Sequence, residues 1–351
     1  MSNRIYIYAL IAGVEQPELL DSVEINGKTE PVFAVWYNDV GFAVSVAEEF
    51  TQETLTDEAA LNWYIKHLKV IETLSKTFTT VTAKIGMTLE NVAVAREILE
   101  KNAGQLQNIV VDMKDKAEFD LIISWRDLKK VMAAAGDEPE IKRFKEQLMK
   151  QGQITPAEIQ KIGEMMGAAL ARRKREVQEL VIRELGTRAE KFTILAATGD
   201  QIAVNSAFLT TLDQGRAIKR KLNAVVGTLE TGYGINQLEV RFIGPLPPKN
   251  FAAIEFKLIT AGDLAAAKAT LEVVSASPEL TELRAARNGL LQSHHPDKNT
   301  EIAIQPERAQ ALIVAYRLID EYCSNFGLSQ LPENPADAYV VKVVQAESNQ
   351  D

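Results

Sequence analysis

Leu238, Val240 and Phe242 alternate with Glu239 and Arg241, and after a short break Ala252, Ile254 and Phe256 alternate with Ala253, Glu255 and Lys257. A period of two sends every second side chain to one face, so each stretch predicts a strand with one side in a core. Gly244-Pro245-Leu246-Pro247-Pro248 separates them. Gly244 reaches backbone angles closed to other residues, and each proline fixes φ and removes an amide donor. The residue before each proline is pushed toward extended geometry. The pattern predicts a stiff corner, poor in hydrogen bonds, between two strands at a sheet end.

From the start of the chain, residues 3–11 alternate as a strand, with Ile5, Ile7, Ala9 and Ile11 on one face and Tyr6, Tyr8 and Leu10 on the other. Two apolar faces suit a central strand. Strands over 31–37 and 42–46 flank the turn signal Asn38-Asp39-Val40-Gly41 and predict a hairpin. Thr56 ahead of Asp57 and Glu58 starts a helix whose apolar positions are Leu61, Ile65, Leu68, Ile71 and Leu74. His67, beside Lys66 and Lys69, reads as a surface residue of that helix. A strand over 78–84, a helix over 89–103 stopped by Gly104 and a strand over 118–125 follow. Together they predict an α+β domain over residues 1–130, helices on one face of a sheet, close to ferredoxin-like.

Residues 131–190 read as a helical connector, broken at 136–139 and 151–156. Its long helix begins at Pro156 with Thr155 as cap and runs to about residue 185. Arg172-Arg173-Lys174-Arg175 in its middle read as a solvated face paired with Glu176 and Glu179, because no aromatic residues interleave the charge. Strands over 191–197 and 202–208, a helix over 212–229 and the strand pair around the proline corner make a second α+β domain over 191–260.

Arg241-Phe242-Ile243-Gly244-Pro245-Leu246-Pro247-Pro248-Lys249-Asn250-Phe251 resembles the Arg-(Phe/Leu)-x-Gly-Pro-x-Pro-Pro-(Tyr/Phe)-x-Phe run near the end of the gas vesicle protein F/L family. YIYALI, the helix holding His67, AKIGMTLENVAVAREIL, EFDLIISW and Asn205-Ser206-Ala207-Phe208-Leu209 follow that family's order along the chain. Thr82-Ala83-Lys84-Ile85-Gly86 stands where family members carry a Pro-x-Arg-Phe-Gly-like run. The resemblance implies a non-catalytic accessory protein of gas vesicles that binds the small hydrophobic shell subunit, gas vesicle protein A, and other gas vesicle proteins. A minor component of the vesicle wall is the alternative. Arg241, Gly244, Pro245, Pro247, Pro248 and Phe251 are the residues that carry the signature turn.

Past residue 260 the character changes. ELRAARNGLLQSHHPDKN leads into a turn and AQALIVAYRLIDEYC into an amphipathic helix. Over residues 261–328 this looks like the J-domain of Hsp70 co-chaperones, a small all-α module. Glu282-Leu283-Arg284, Ala286 and Leu290 match its second helix, His295-Pro296-Asp297 its loop tripeptide, and Ala315-Tyr316 with Leu318 its third helix. The resemblance implies Hsp70 as a partner, met by His295, Pro296, Asp297, Arg284 and Arg287. Arg287 replaces the usual tyrosine and Asn288-Gly289 the usual basic pair. Gly289 weakens the helix by about 1 kcal/mol relative to alanine. An Hsp70-stimulating module and a degenerate J-like fold used only for protein contacts both remain open, as does a general J-domain co-chaperone. Residues 329–351 form a tail in which 338–344 add one edge strand.

Length and charge narrow this further. A chain of 351 residues predicts two or three domains. The net charge of −9 argues against general nucleic-acid binding, and the single cysteine, Cys323, leaves no cysteine-based zinc site. His294, His295 and Asp297 lack further ligands nearby, so no metal or other cofactor is expected. The beginning of the chain lacks a signal-peptide pattern and no apolar run approaches membrane-spanning length, so a cytoplasmic, membrane-free protein is expected. No Walker loop, nucleophile elbow or dinucleotide fingerprint appears, and Thr231-Gly232-Tyr233-Gly234 reads as a loop. The pattern argues against an enzyme.

Overall fold

The run Ile5–Ala12 has no charged side chain and forms β1, buried over all but its last residue. Both faces are apolar because β1 lies inside a sheet, hydrogen-bonded to β4 (Val40–Val46) on one edge and to β5 (Thr79–Ala83) and the short β6 (Thr88–Leu89) on the other. The computed structural model describes residues 4–25, 28–47, 57–152, 154–197, 199–232, 238–293 and 306–344. They fall into two units, one built from Met1–Asp112 with Ile254–Val344, the other from Met113–Ala253.

In the first unit β2 (Leu19–Ile25), β3 (Lys28–Tyr37), β11 (Ala253–Ile259) and β12 (Ala338–Val344) complete a sheet of order β12-β11-β5-β1-β4-β3-β2. The β3–β4 hairpin turns at Asn38, whose φ of 51° is one that asparagine tolerates. Within β1 the pairing register shifts between Ile7 and Ala9. That irregularity reverses the alternation, so Tyr6, Tyr8, Ala9 and Ile11 enter one core cluster, whereas the bare pattern grouped Ala9 and Ile11 with Ile5 and Ile7.

Helix α1 (Asp57–Leu74) packs on this cluster through Val70, Ile71 and Leu74. Its buried stripe includes Lys66 and His67, while Leu61 and Ile65 are exposed, so the reading of His67 as a surface residue is corrected. The polar pair sits inside because each group is satisfied there. Lys66 makes an ion pair with Glu30 and lies 4.4 Å over the Trp63 ring. His67 is bonded through Nδ1 to the Tyr6 hydroxyl and through Nε2 to Thr82 Oγ1, both at 2.9 Å. Burial lowers the His67 pKa to about 4. A neutral imidazole in the fold and a titrating one in the unfolded chain mean stability that is full above about pH 6.5 and lost as pH falls toward 4, on the order of 3 kcal/mol. Hydrogen exchange of β1 and β5 amides should quicken over that window, and His67→Phe should remove the acid dependence while weakening the unit at pH 7.

The expected helix over 89–103 is two helices, α2 (Val92–Lys101) and α3 (Ala103–Met113), jointed at Asn102 rather than ended at Gly104. Asn102 is buried, donating to Ile98 O and accepting from Asn325 Nδ2 at 2.6 Å. Asn325 Oδ1 in turn accepts from Val341 N, and Gln105 Nε2 donates to Val341 O, which ties β12 to α3.

Helices α8 (Ala261–Thr270), α9 (Leu280–Ser293) and α10 (Pro306–Asn325) belong to this first unit. Leu264, Leu283, Leu312 and Ile319 share one cluster with Ile259 of β11 and Ala338 and Val340 of β12. The helices expected as a separate module over 261–328 thus build a common core with the two strands that bracket them.

The second unit runs β7 (Lys116–Trp125), α4 (Leu128–Gly136), α5 (Pro139–Gln151), α6 (Pro156–Leu185), β8 (Lys191–Ile194), β9 (Ile202–Thr211), α7 (Leu212–Gly232) and β10 (Leu238–Leu246). Its sheet has the order β10-β7-β9-β8, antiparallel at every pairing. Thr155 and Glu158 form a capping box at the start of α6. Val177, Val181 and Leu185 of α6 and Ile218, Leu222 and Val225 of α7 meet Leu121, Ile123 and Phe208 of the sheet in one core.

Two expectations are corrected here. Strand 118–125, assigned to a first domain ending at 130, opens the second sheet as β7, pairing with β9 and β10. The two strands around the proline corner, both assigned to the domain over 191–260, belong to different sheets. β10 is the edge of the second sheet, and β11 stands between β5 and β12 in the first. The corner is therefore a connection from sheet to sheet, and alternation alone could not reveal this because each half is amphipathic in either arrangement.

Candidate functional site

The signature corner is held from beneath by β7. Gly244 has a φ of +148°, and a Cβ there would stand 2.7 Å from both Glu118 O and Phe119 Cδ1. Gly215 of α7 is close-packed too, since a Cβ on it would run into the same Phe119 ring. The Phe119 ring stacks on Phe242 with centroids 5.6 Å apart. The Gly-Pro step is cis.

Beyond the cis step, Pro247, Pro248 and Phe251 are buried. Pro247 O accepts from Lys249 N, and Pro248 O accepts from Phe251 N and Ala252 N. The corner is richer in hydrogen bonds than the proline count suggested, because the amides that follow the prolines fold back on proline carbonyls. Glu118 completes it. Its carboxyl, fully buried, accepts from Asn250 N at 2.8 Å and Asn250 Nδ2 at 2.6 Å. Asp120, two residues along the same face of β7, lies 4.0 Å from Lys249 Nζ. Burial above all, and then the Asp120 charge, push the Glu118 carboxyl up to about 8, and burial likewise raises Asp120. Glu118 and Asp120 escaped sequence reasoning. The only trace of them is two acids at positions of a strand whose neighbours are apolar.

Arg241 and Pro245 are exposed on the outer side of the same strand end. Between β10 and α7 lies an open groove of about 600 Å3, lined by Leu222, Val226, Val240, Phe242 and Ile243 with Lys219, Asn223 and Arg241 at its polar margins. Arg241 thus faces a different surface from the buried half of the signature.

Among the residues read as a J-like contact set, Arg284 Nε donates to the Tyr316 hydroxyl at 3.1 Å, and the Arg287 guanidinium lies 4.4 Å over the Tyr316 ring. Both arginines are thereby gathered on one residue of α10. His295, Pro296 and Asp297 lie outside the described residues. The basic cluster of α6 pairs differently from expectation. Arg172 and Arg173 both reach Glu138, and Lys174 reaches Asp200, because these acids stand across the helix surface while Glu176 and Glu179 do not meet the cluster in any ion pair among the described residues. Among the described residues no group of His, Cys, Asp and Glu side chains suits a metal ion, and no helix is long and apolar enough to cross a membrane.

Residues 4–253 match the model of the family described as gas vesicle synthesis protein GvpL/GvpF. Gas vesicle protein F of Microcystis aeruginosa (strain PCC 7806) is 22% identical over 258 residues, covering 72% of this chain and all of that protein. The fold is similar to the crystal structure of GvpF from Anabaena sp. PCC7120, with a TM-score of 0.57 at 19% identity over 71% of this chain and 97% of that one. It is also similar to the crystal structure of GvpF from Microcystis aeruginosa, with a TM-score of 0.54 at 20% identity over 70% and 98%. With a family match that spans most of the chain and a fold similar to two GvpF crystal structures, the protein belongs to the gas vesicle GvpL/GvpF family.

Proposed function

We propose that this chain is a non-catalytic assembly protein of gas vesicles that holds the hydrophobic shell subunit, gas vesicle protein A, before or during polymerisation. Family membership over residues 4–253 is the observation that carries the reading. A shell subunit with an apolar face and open strand edges aggregates unless covered, and a protein with free sheet edges of its own is suited to cover it. The order β10-β7-β9-β8, reached through a β-α-β-β-α-β succession, favours a ferredoxin-like reading of the second unit. Co-purification tests the function. The tagged chain should retain the shell subunit, and retention no greater than that of an unrelated acidic protein would refute it.

The segment 261–328 acts in this proposal as a J-like module that recruits an Hsp70, with His295, Pro296 and Asp297 as the contact tripeptide and Arg284 and Arg287 beside them. The α9–α10 packing through Leu283 and Leu312 supports it. The full chain should then raise Hsp70 ATPase turnover and His295→Gln should abolish the rise. Stimulation unchanged in the variant, or none from the intact chain, would leave these helices a purely structural role.

A further inference from the structure

The strand β10 ends its sheet, so one row of its main-chain N–H and C=O groups faces away from β7. Alongside that edge, which no described strand pairs with, lies the groove between β10 and α7, lined by Val226 and Phe242 and margined by Lys219 and Arg241. Neither cation has an ion-pair partner among the described residues, although acids outnumber bases in the chain as a whole, at net charge −9. A helix standing beside an open strand edge is the arrangement that captures extended peptides by strand addition, main-chain bonds supplying affinity and pockets for alternate side chains supplying selectivity.

We propose that this groove binds an extended, apolar segment of a partner protein flanked by carboxylates, which adds to β10 as a further strand and places its acids against Lys219 and Arg241. The inference rests on the reading that this chain holds another protein, and it names the surface and the chemistry that do so. Complementary charge would fix the direction and register of the added strand and set its association rate. Gly227 offers a clean way to close the groove. A Cβ built on it meets no described atom within 4 Å, so a larger side chain there projects into open space rather than into the core.

The test uses the full chain and three fluorescein-labelled synthetic octapeptides of alternating valine and threonine: one with aspartates at both ends, one with lysines at both ends, and one with aspartates and a central proline. The aspartate peptide should bind, and slow amide exchange across 239–243. The proline peptide should bind about tenfold more weakly, because a ladder donor is lost. Lys219→Glu with Arg241→Glu should weaken the aspartate peptide about tenfold and favour the lysine peptide. Gly227→Leu should weaken the aspartate peptide without lowering Tm, since leucine is the better helix former. Affinity indifferent to these variants, or exchange unchanged at 239–243, would overturn the proposal. So would sedimentation showing that the chain alone pairs through this groove and that Gly227→Leu separates the copies. The same variants divide the two readings. Shell subunit retained equally by wild type and variants sinks the groove and leaves the function standing. Retention absent in wild type, with charge-dependent peptide binding intact, sinks the function and leaves the groove.

Discussion

Gly244→Val should destabilise the second unit by about 3 kcal/mol or more, the largest single-residue effect expected outside the deep core. Two costs add. The backbone at φ +148° is one that side chains rarely adopt, and the new Cβ would fall 2.7 Å from a main-chain oxygen of β7 that cannot move without breaking the sheet. Gly215→Ala should cost less. The three atoms nearest its Cβ all belong to the Phe119 ring, and a ring can rotate at the expense of its stack on Phe242. Urea unfolding followed by tryptophan fluorescence, with Trp125 as the fully buried reporter of this unit, measures both. Equal and small effects from the two substitutions would mean that the corner is not anchored by Phe119.

The second large effect is a pH dependence. Glu118, with a carboxyl pKa raised to about 8 in the fold, binds its proton more tightly there than in the unfolded chain. Its contribution to stability is therefore fully present below about pH 4.5 and lost as pH rises through about 8, on the order of 5 kcal/mol in all. Glu118→Gln keeps the volume and a neutral group that can donate toward Asp120. The stability difference between wild type and Glu118→Gln should therefore favour wild type at pH 5 and shrink or reverse by pH 8.5, read by denaturation at matched ionic strength. A difference that stays constant with pH would show that Glu118 is ionised throughout and held by Asn250 and Lys249 alone. Taking the difference between the two proteins separates this effect from that of His67, which lies in the other unit and has the opposite sign.

Much of the fold was legible because local rules held. The Thr155 cap of α6, the Asn38 turn and the alternation of β10 each announced an element with little dependence on the rest of the chain. Partnership between elements was not legible. β7 has one apolar face, Phe119, Leu121, Ile123 and Trp125, which would suit a core under either sheet, so its place as the opening strand of the second unit turns on long-range pairing. The same holds for β10 and β11, whose separation onto two sheets leaves no mark on their periodicity. On α1 the signal itself misled. Lys66 and His67 fill core positions because Glu30, Tyr6 and Thr82, far away in sequence, satisfy them.

The candidate site divides along the same line. Gly244 and the prolines were visible as residues with special backbone demands. Their support, Glu118 and Phe119, lies more than a hundred residues away and was invisible without coordinates. Lys249 stands where the family run carries an aromatic residue, and its pairing with Asp120 gives that departure a physical context. Arg284 and Arg287, singled out by resemblance, both meet Tyr316, a geometry no spacing rule anticipates.

The most direct measurement is light scattering of purified shell subunit diluted from denaturant, with and without the full chain at an equal molar amount. If this protein works by covering an aggregation-prone surface, scattering should fall in proportion to the chain added and the subunit should elute with it. Scattering identical to that with an unrelated acidic protein of similar size would contradict the account.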